Sequence, residues 1–552
     1  MLWRPSDSNP SVVAIHELPL QIMKKYYITT PIYYVNDEPH VGHAYTTTVA
    51  DALARYHSLC EEQVFFSVGV DENSQKNVQA MRRVGETDLA AYLGRMSELW
   101  QRSWDDLNIA YDRFIRTTSD EHHRAVERFW NAVKTSGDIY EGSYDGLYCV
   151  GCEAFKTENE LVDEKCPLHP NAALQAIKER NYFFKASAYR EQLLNWLDSH
   201  ANFVQPESRR NEIRNYIQNH FEDFSISREA KNLETGIPVP GDPSQRIYVW
   251  FDALINYLTV VGYGTHDDEF KKWWPANLHL VGKDIIKFHC ALWPAMLMSA
   301  AKSDALLRDE TGAALLPESI FAHGFFTVQG QKISKSLNNA VDPRDLVPKY
   351  GLDAVRYYLL REIPFGEDGD FSIERLEERY VHDLANTLGN LVNRALAMSR
   401  KYFNGAVPAS LSHDPAYTFA DEHGVVALTR HFDDCVKRVR FDLALEAVWN
   451  GVDRNYGLLQ ANKFIEDTQP FKLIKTDPEA VAAILYSLLE YCRVVAWLIQ
   501  PVMPQTSLQI IEQLGQNVEV EQRKKLIDVV AWGGLKPGTP LPEPKILFNK
   551  LI

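Results

Sequence analysis

Cysteine is scarce in this chain: seven of the 552 residues are cysteine, and they lack the dense, even-numbered pattern of a disulfide scaffold. Three lie close together at Cys149, Cys152 and Cys166, and the other four are scattered along the sequence. This usage is typical of proteins that fold in a reducing compartment. It therefore predicts a cytoplasmic protein.

Uncharged apolar runs of membrane-spanning length are also missing. The most apolar segment, Val481 to Ile499, carries Glu490 and Arg493 near its middle, so it is interpreted as a buried helix of a bundle. Residues 1–22 contain neither the apolar core of a secretory signal nor the many basic residues of a transit peptide. We therefore expect no membrane partner.

Positive charge is in deficit. Lys and Arg number 58 against 74 Asp and Glu, which gives a net charge of −16. A molecule of this charge repels nucleic acid as a whole, so any contact with RNA must depend on local basic patches and on shape. The apolar fraction of 45% is that of an ordinary globular protein, and the length predicts about three or four domains.

The chain does contain a strand–turn–helix pattern near its beginning. Tyr26 to Thr30 is rich in β-branched and aromatic residues, which favours a buried strand, and apolar residues from Tyr45 to Tyr56 recur at helical spacing. His40, Gly42 and His43 lie at the junction. The first turn of a helix presents backbone N–H groups to an anion, the glycine permits close approach, and the imidazoles can donate. The segment therefore predicts a site for a triphosphate.

A cationic segment, GQKISKS, lies far downstream and contains Lys332 and Lys335. By itself it is typical of a solvated polar loop. Together with two histidines at a phosphate site, it can stabilise the charge that develops on a leaving pyrophosphate. The pair HVGH and KISKS, in that order and separation, resembles the HIGH and KMSKS motifs of class I aminoacyl-tRNA synthetases.

Longer segments resemble the methionyl members of that class: TTPIYYVNDEPHVGHAYTT, GLYCVGCEAF, YVWFDALINY, GKDIIKFH and QKISKS. The resemblance extends from about Lys24 to the end of the chain. It implies a ligase that activates L-methionine with ATP and Mg²⁺, forms methionyl-adenylate and pyrophosphate, and transfers methionine to the 3′-terminal adenosine of tRNA(Met). Because no oligonucleotide-binding barrel follows Leu547, we also expect a monomer.

The implied fold is α/β, with a Rossmann-like parallel-sheet catalytic domain that is split by a zinc-knuckle insertion and followed by an α-helical bundle domain. The predicted domains are an N-terminal extension (1–23), the first half of the catalytic domain (24–118), the connective insertion (119–226), the second half of the catalytic domain (227–325), the KISKS loop and stem-contact region (326–380), the α-helical anticodon-binding domain (381–535) and a C-terminal peptide (536–552).

Two pairs of metal-binding residue types lie within the expected insertion. Cys149 and Cys152 are separated by two residues, as are Cys166 and His169, with thirteen residues between the pairs. Thiolate and imidazole ligands at this spacing are typical of a tetrahedral Zn²⁺ site, and four protein ligands leave no open position for catalysis. The sequence therefore predicts one structural zinc per chain.

Asp71 follows an apolar run, Val64 to Val68, that suits a buried strand. A carboxylate at the carboxyl end of such a strand lies where α/β folds bind ligands, and it can bind the α-amino group of an amino acid. Alternatively, it caps the helix that follows. The family usually continues with His-Gly after the acidic pair, whereas this chain has Asn73 and Ser74.

The resemblance implies an apolar slot for the methionine side chain beside Asp71. The slot residues would be Ile32, Tyr34, Trp250, Ala253, Tyr257, Ile285 and His289. Without the resemblance, the helical spacing from Trp250 to Tyr257 would be more typical of core packing, and His289 of a hydrogen-bonded core histidine. A thioether gains from sulfur–aromatic contacts, and a narrow slot excludes branched competitors.

Two further strand patterns accompany the slot. Ile247 to Phe251 predicts one strand, and His279 to Val281 predicts another that ends in a glycine turn. Gly282 permits close approach of a nucleotide, and Asp284 can accept hydrogen bonds from ribose hydroxyls. The resemblance implies that the other ATP-binding residues are His40, Gly42, His43, Lys332 and Lys335.

From about Leu376 onward the pattern is helical throughout, which predicts a bundle. The resemblance implies that this bundle reads the CAU anticodon. Asn390 and Arg394 match family contacts and offer amide and guanidinium donors to base edges. Phe471 stands where relatives usually have tryptophan; its phenyl face can stack on a base but offers no N–H donor.

Other interpretations explain parts of the sequence. A nucleotidyltransferase with an HxGH motif accounts for the first segment but not for the cysteine pairs, KISKS or the helical tail. A tRNA-binding module without activity accounts for the bundle but not for the intact histidines and lysines. A class I synthetase for valine, isoleucine, leucine or cysteine is the nearest alternative. Amino-acid-dependent pyrophosphate exchange distinguishes all of these.

Overall fold

The structure is a computed structural model that describes residues 24–149, 154–156, 161–167, 173–328, 330–333, 341–409 and 414–551. Its strands, in chain order, are β1 (Lys25–Thr29), β2 (Tyr33–Tyr34), β3 (Gln63–Asp71), β4 (Arg113–Arg116), β5 (Ile139–Cys149), β6 (Ala154–Lys156), β7 (Leu174–Phe184), β8 (Val204–Gln205), β9 (Phe224–Ser225), β10 (Ser227–Glu229), β11 (Pro238–Val239), β12 (Asp242–Ile247), β13 (Leu278–Gly282), β14 (Ile320–His323), β15 (Phe326–Val328), β16 (Gln331–Lys332) and β17 (Gly369–Asp370).

Its α-helices are α1 (Val41–Leu59), α2 (Gln75–Arg83), α3 (Leu89–Asp106), α4 (Asp120–Thr135), α5 (Arg190–Ser199), α6 (Glu207–His220), α7 (Val249–Leu254), α8 (Asn256–Thr259), α9 (Asp267–Trp273), α10 (Trp293–Ala301), α11 (Pro343–Tyr350), α12 (Leu352–Arg361), α13 (Ile373–Arg379), α14 (Asn390–Tyr402), α15 (Glu422–Lys437), α16 (Phe441–Asn450), α17 (Leu458–Thr468), α18 (Pro470–Leu473), α19 (Pro478–Ile499), α20 (Pro504–Gln513), α21 (Val518–Glu521) and α22 (Leu526–Val529). Wider π turns, Phe288–Leu292 and Tyr380–Gly389, lead into α10 and α14.

The largest sheet is parallel and contains seven strands. β3 lies beside β1, β1 beside β13, and β14 and β8 continue on the far side, while β2 and β4 pair with β3. Ile28, Phe66 and Leu280 on its central strands are fully buried, as expected for a sheet that is covered on both faces. This confirms the predicted Rossmann-like sheet.

Strand order reverses between β1 and β13. The early strands are added on one side of β1, and the later ones on the other side, beyond β13. Helices that follow two such strands diverge to opposite faces, which leaves a crevice at the carboxyl ends of the strands. The topology therefore places a ligand site beside the end of β1.

Between β4 and β13 most of the chain leaves the parallel sheet. β5 and β7 form a long antiparallel pair, with β6 and β9 at its edges, and β10, β11 and β12 form a smaller antiparallel sheet. Only β8 returns from this region to the edge of the parallel sheet, among the strands described. An insertion thus divides the parallel-sheet domain, as the sequence predicted.

The helical C-terminal part is organised around α19. Within the described ranges, α19 is the helix with the length and hydropathy to cross a membrane, but 94% of its most apolar window is buried inside the protein. Glu490 and Arg493 pair inside it at 2.6 Å, and Glu490 also accepts hydrogen bonds from the backbone N–H groups of residues 533–535. The segment is therefore the buried bundle helix that the sequence predicted.

Two local predictions are wrong. The strand predicted for Ile247 to Phe251 ends at Ile247, where β12 pairs with β10, and α7 begins at Val249. The aromatic and β-branched residues favour a strand by propensity, but their packing against the π turn that begins at Phe288 overrides it. The polar loop predicted for GQKISKS begins as a hairpin, since Lys332 belongs to β16 and pairs with Thr327 of β15.

Candidate active site

Four strands of the parallel sheet end on one crevice. β1 leads to the start of α1, β3 ends at Asp71, β13 at Gly282 and β14 at His323. Together with α7 and the residues around Ile285, these ends border a cavity of about 470 Å³. A cavity of this size at a reversal of strand order is where α/β proteins bind small molecules.

Most of the predicted site residues lie together on this cavity. All of the predicted methionine-binding residues line the cavity: Ile32, Tyr34, Asp71, Trp250, Ala253, Tyr257, Ile285 and His289. The predicted nucleotide-binding residues that line it are His40, Gly42, His43, Gly282 and Asp284. Lys332 is described by its backbone alone, and Lys335 lies outside the described residues.

His40 and His43 cap the first turn of α1 reciprocally. His40 Nδ1 accepts from the backbone N–H of Gly42 at 3.1 Å, and His43 Nδ1 accepts from the backbone N–H of His40 at 3.3 Å. Because each Nδ1 is an acceptor, we assign the ring proton to Nε2, so each imidazole has an N–H donor on its other nitrogen. A β-carbon at Gly42 would lie 2.9 Å from His40 Cε1, and glycine therefore lets the ring take this position.

His43 is a neutral donor. Its ring packs against Tyr33 and Trp100, with centroids 4.8 and 4.9 Å away, and stacks on His40 at 3.8 Å. This burial, with the neighbouring imidazole, lowers the pKa of His43 well below its ordinary value of 6.5. At neutral pH the start of α1 therefore offers N–H groups and the positive end of a helix dipole, a combination suited to phosphate oxygens.

Asp71 is buried at the end of β3 and borders the cavity. Its Oδ1 accepts from the backbone N–H of Asn73 at 3.1 Å and from the Thr117 hydroxyl at 3.4 Å. Helix α2 begins four residues later, and Ser74 caps it by accepting from the N–H of Lys76. The alternative that Asp71 caps this helix is therefore wrong, and its carboxylate is placed to bind an ammonium group in the cavity.

Aromatic rings form the wall contributed by α7 and the π turn after β13. Trp250 stacks on Phe288 with centroids 3.8 Å apart and 6° between the planes. His289 Nδ1 donates to the carbonyl of Ile285 at 3.1 Å, so its Nε2 accepts from the Tyr257 hydroxyl at 2.8 Å, and burial lowers the pKa of His289 to about 4. His289 is thus both hydrogen-bonded in the core and part of a neutral aromatic wall that suits a thioether.

The end of β13 supplies another part of the wall. A β-carbon at Gly282 would lie 2.7 Å from Asp284 Oδ1, so the glycine lets this carboxylate turn back over the strand end. Lys283, the residue between them, forms an ion pair with Asp368 at 2.5 Å, and this pair stabilises the turn. Asp284 is therefore placed where it can accept hydrogen bonds from a ligand's hydroxyl groups.

The KISKS segment begins at this cavity as well. β16, which includes Lys332, leads to Ile333, and Ile333 is buried against the cavity. On the other side of the segment, the backbone N–H of Val41 donates to the carbonyl of Val341 at 3.0 Å. The flank after the segment therefore lies next to the start of α1, and the flank before it borders the same cavity.

Known proteins are similar to this chain in sequence and in fold. Residues 26–175 and 160–396 match the class I tRNA synthetases (M), and residues 427–552 match the anticodon-binding domain of methionyl-tRNA ligase. A methionine–tRNA ligase of Thermotoga maritima is 42% identical over 96% of this chain and 80% of its own length. One from Thermosynechococcus vestitus is 44% identical over 95% of this chain and 97% of its own. The chain belongs to the methionyl-tRNA synthetase family.

Solved structures of this family have the same fold. Mycobacterium tuberculosis methionyl-tRNA synthetase in complex with methionyl-adenylate is 40% identical and has a TM-score of 0.87, over 96% of this chain and 100% of that one. The Rossmann-like sheet and the helical C-terminal part are therefore those of the methionyl-tRNA synthetases.

Two of the four predicted zinc ligands are described, and both are buried thiols. Cys149 ends β5, and Cys166 follows a tight turn closed by two backbone hydrogen bonds between Val162 and Lys165. Cys152 and His169 lie outside the described residues. In the part of the chain that is described, no three His, Cys, Asp or Glu side chains form a group that could hold a metal. The zinc site therefore stays a prediction.

The predicted anticodon residues lie on adjoining helices of the bundle. Asn390 Nδ2 donates to Asn462 Oδ1 at 3.1 Å, and the Arg394 guanidinium lies 3.8 Å from the carboxylate of Glu466. Both contacts join α14 to α17. Phe471 lies in α18, directly after α17, and is 47% exposed. Asn390 and Arg394 thus supply polar groups where α14 meets α17, and Phe471 supplies an exposed ring in the next helix; groups of these kinds can bind unstacked bases.

Several cavity residues were not predicted from the sequence. His323 ends β14, its Nε2 lies 2.8 Å from the Thr46 hydroxyl, and burial lowers its pKa to about 4. Its position after an apolar run is the same signal that pointed to Asp71, so the sequence could have identified it. Lys76 and Trp100 also line the cavity, but both lie within helices and carry no such signal.

Proposed function

We propose that this protein joins L-methionine to tRNA(Met) in two steps, with ATP and Mg²⁺ as co-substrates. The observation that carries the proposal is that imidazole donors at a helix start, a buried carboxylate and an aromatic slot border one cavity. Family membership supplies the substrates: the relatives are named methionine–tRNA ligases, and the Mycobacterium tuberculosis structure holds methionyl-adenylate.

In the first step the substrate provides its own nucleophile. A carboxylate oxygen of methionine attacks the α-phosphorus of ATP, the bond from that phosphorus to the bridging oxygen breaks, and pyrophosphate leaves with the electron pair. His40 and His43 donate to the phosphate oxygens on which charge accumulates, and Lys332 and Lys335 add positive charge there. Mg²⁺ bound to ATP would supply further positive charge at the phosphates.

The walls of the cavity select and orient the substrates. Asp71 binds the α-ammonium group of methionine, while Ile32, Tyr34, Trp250, Ala253, Tyr257, Ile285 and His289 surround the thioether. Sulfur–aromatic contacts favour methionine, and the stacked rings leave little width for a branched side chain. Gly282 and Asp284 receive the adenosine and its ribose.

In the second step the terminal adenosine of the tRNA attacks the carbonyl carbon of the adenylate and displaces AMP. The helical domain binds the anticodon of the same tRNA through Asn390, Arg394 and Phe471. Because the net charge is −16, this recognition must depend on local donors and stacking rather than on bulk attraction. We further propose a cytoplasmic monomer with the domain limits given above.

We also propose one structural zinc per chain, held by Cys149, Cys152, Cys166 and His169. The burial of both described thiols supports the site, since thiolates that bind zinc are enclosed by tight turns of this kind. When bound, the metal would cross-link the end of β5 to the turn before Cys166 and take no part in the reaction.

Metal analysis of the purified protein should find about one zinc per chain. Cys149→Ser and Cys166→Ser should each reduce the zinc content to near zero, because a three-ligand site binds the metal far less tightly. Cys290→Ser, at a buried thiol outside the insertion, is the matched control and should retain the metal. A protein with all four residues intact but without zinc would contradict the proposal.

Methionine-dependent ATP–pyrophosphate exchange, followed by charging of tRNA with labelled methionine, tests the proposed function. Exchange with methionine but not with valine, isoleucine, leucine or cysteine is expected, together with charging of tRNA that carries the CAU anticodon. Exchange with another amino acid would identify a different class I synthetase. Binding of tRNA without exchange would identify an inactive binding module.

A further inference from the structure

A buried polar network lies behind Asp71, outside the cavity. At its centre is Asp252, whose two carboxylate oxygens each accept one hydrogen bond of 2.7 Å, Oδ1 from His122 Nε2 and Oδ2 from the side-chain amide of Asn73. His122 and Asp252 are 0% exposed and Asn73 is 4% exposed. The Asp252 carboxylate is therefore shielded from solvent and depends on the donors of His122 and Asn73.

The orientation of the Asn73 amide follows from its partners. Its Nδ2 lies 2.7 Å from the Asp252 carboxylate and 3.2 Å from the carbonyl oxygen of Thr117, and both of these groups can only accept. The backbone N–H of the same residue donates to Asp71 Oδ1 at 3.1 Å. Asn73 thus holds one carboxylate with its side chain and another with its main chain.

The two carboxylates lie on elements that form different walls of the cavity. Asp71 ends β3, whereas Asp252 lies in α7 between Trp250 and Ala253, which line the slot. α7 has six residues and no side-chain cap, so its position depends on its tertiary contacts. A buried carboxylate oxygen without a donor is unfavourable, and the loss of the Asn73 amide would therefore displace α7.

We propose that Asn73 is a positioning residue that fixes the distance between the carboxylate of Asp71 and the aromatic slot. An α-amino acid must satisfy both at once, its ammonium group on Asp71 and its unbranched side chain against α7. The inference rests on the proposed function and deepens it, since Asn73 acts through Asp71 and Asp252 and does not touch the substrate. The amide nitrogen of asparagine and the Nδ1–H of an imidazole lie at similar distances from the backbone, so a histidine at this position offers an equivalent donor.

The test separates positioning from folding. Asn73→Leu keeps the size of the side chain and removes its donor, so the Kd and KM for methionine should rise about tenfold or more, while kcat and the KM for ATP stay within about threefold. Asn73→His restores a donor at the same place and should return the Kd for methionine to within about threefold of wild type. If Asn73→Leu does not fold, Asn73→Ser can be measured instead. Its side chain is too short to reach Asp252, so the Kd and KM for methionine should rise in the same way.

Asn181→Leu is the matched control. Asn181 is also buried, at 1% exposure, but its amide donates to Ser225 within the inserted antiparallel sheet. The Asn181→Leu variant should have a lower melting temperature than wild type but the same Kd for methionine. Normal methionine binding by Asn73→Leu, or no recovery in Asn73→His, would overturn the inference. Absence of methionine-dependent exchange in the wild-type protein would instead reject the proposed function.

Discussion

Replacement of His43 by alanine is expected to slow methionine-dependent pyrophosphate exchange by about 10²–10³-fold, the usual loss when a preorganised donor to developing charge is removed. His43 Nδ1 is already occupied by the backbone N–H of His40, so the Nε2–H is the donor that remains for phosphate. Burial lowers the pKa of His43 below 6.5, which keeps the ring neutral and in this tautomer at neutral pH. Alanine removes the donor and also leaves the N–H of His40 without its imidazole acceptor.

The same variant should bind methionine with an affinity within about twofold of wild type, because the slot is formed by other residues. His57→Ala is the matched control: it removes an imidazole from the same helix, but this one pairs with Glu62 at 2.9 Å and does not line the cavity. Exchange by His43→Ala at the rate of His57→Ala would contradict the assignment of His43.

Local patterns predicted the elements that position the site. The strand, turn and helix around HVGH are specified by residues close together in sequence, and so is the carboxylate at the end of β3. Ligands of α/β proteins bind at the carboxyl ends of parallel strands, so Asp71 and Gly282, which each follow a strand pattern, could be assigned to the same edge of the sheet without the strand order. The resemblance to a family added the distant residues of the slot.

The remaining parts depend on contacts that no local pattern encodes. Asn73, His122 and Asp252 are far apart in sequence, and each is an ordinary polar residue until the fold brings Asn73 and His122 to 2.7 Å from the Asp252 carboxylate. Propensity also failed at Val249 and Trp250, which form a helix because Trp250 can then stack on Phe288. Tertiary packing, rather than local secondary-structure propensity, determines the conformation of these residues.

A second set of distant residues joins the catalytic and helical parts of the protein. Arg356 of α12 is fully buried, and its guanidinium bonds Asp51 of α1 at 2.5 Å and the carbonyl of Val502 at 2.9 Å. Asp51 is also fully buried, and it accepts from Arg55 and from the backbone N–H of Ala110. The helix that begins with HVGH is thus tied to the turn after α19 through one buried ion pair.

Arg356→Met is expected to reduce the free energy of unfolding by about 3 kcal/mol, the low end of the range for a broken buried ion pair, because Asp51 loses its buried partner but keeps Arg55 at 2.7 Å. Urea denaturation, followed by tryptophan fluorescence and circular dichroism, measures the loss. Adding Asp51→Asn should recover part of it, since the buried negative charge is then gone, although the carbonyls of Val502 and Pro501 still lack their donor. Arg102→Met is the control: Arg102 pairs with Glu98 on the surface of α3, with its side chain 73% exposed, and a change within about 0.5 kcal/mol is expected. Equal stability of the Arg356 and Arg102 variants would show that the buried pair does not hold α1 against the bundle.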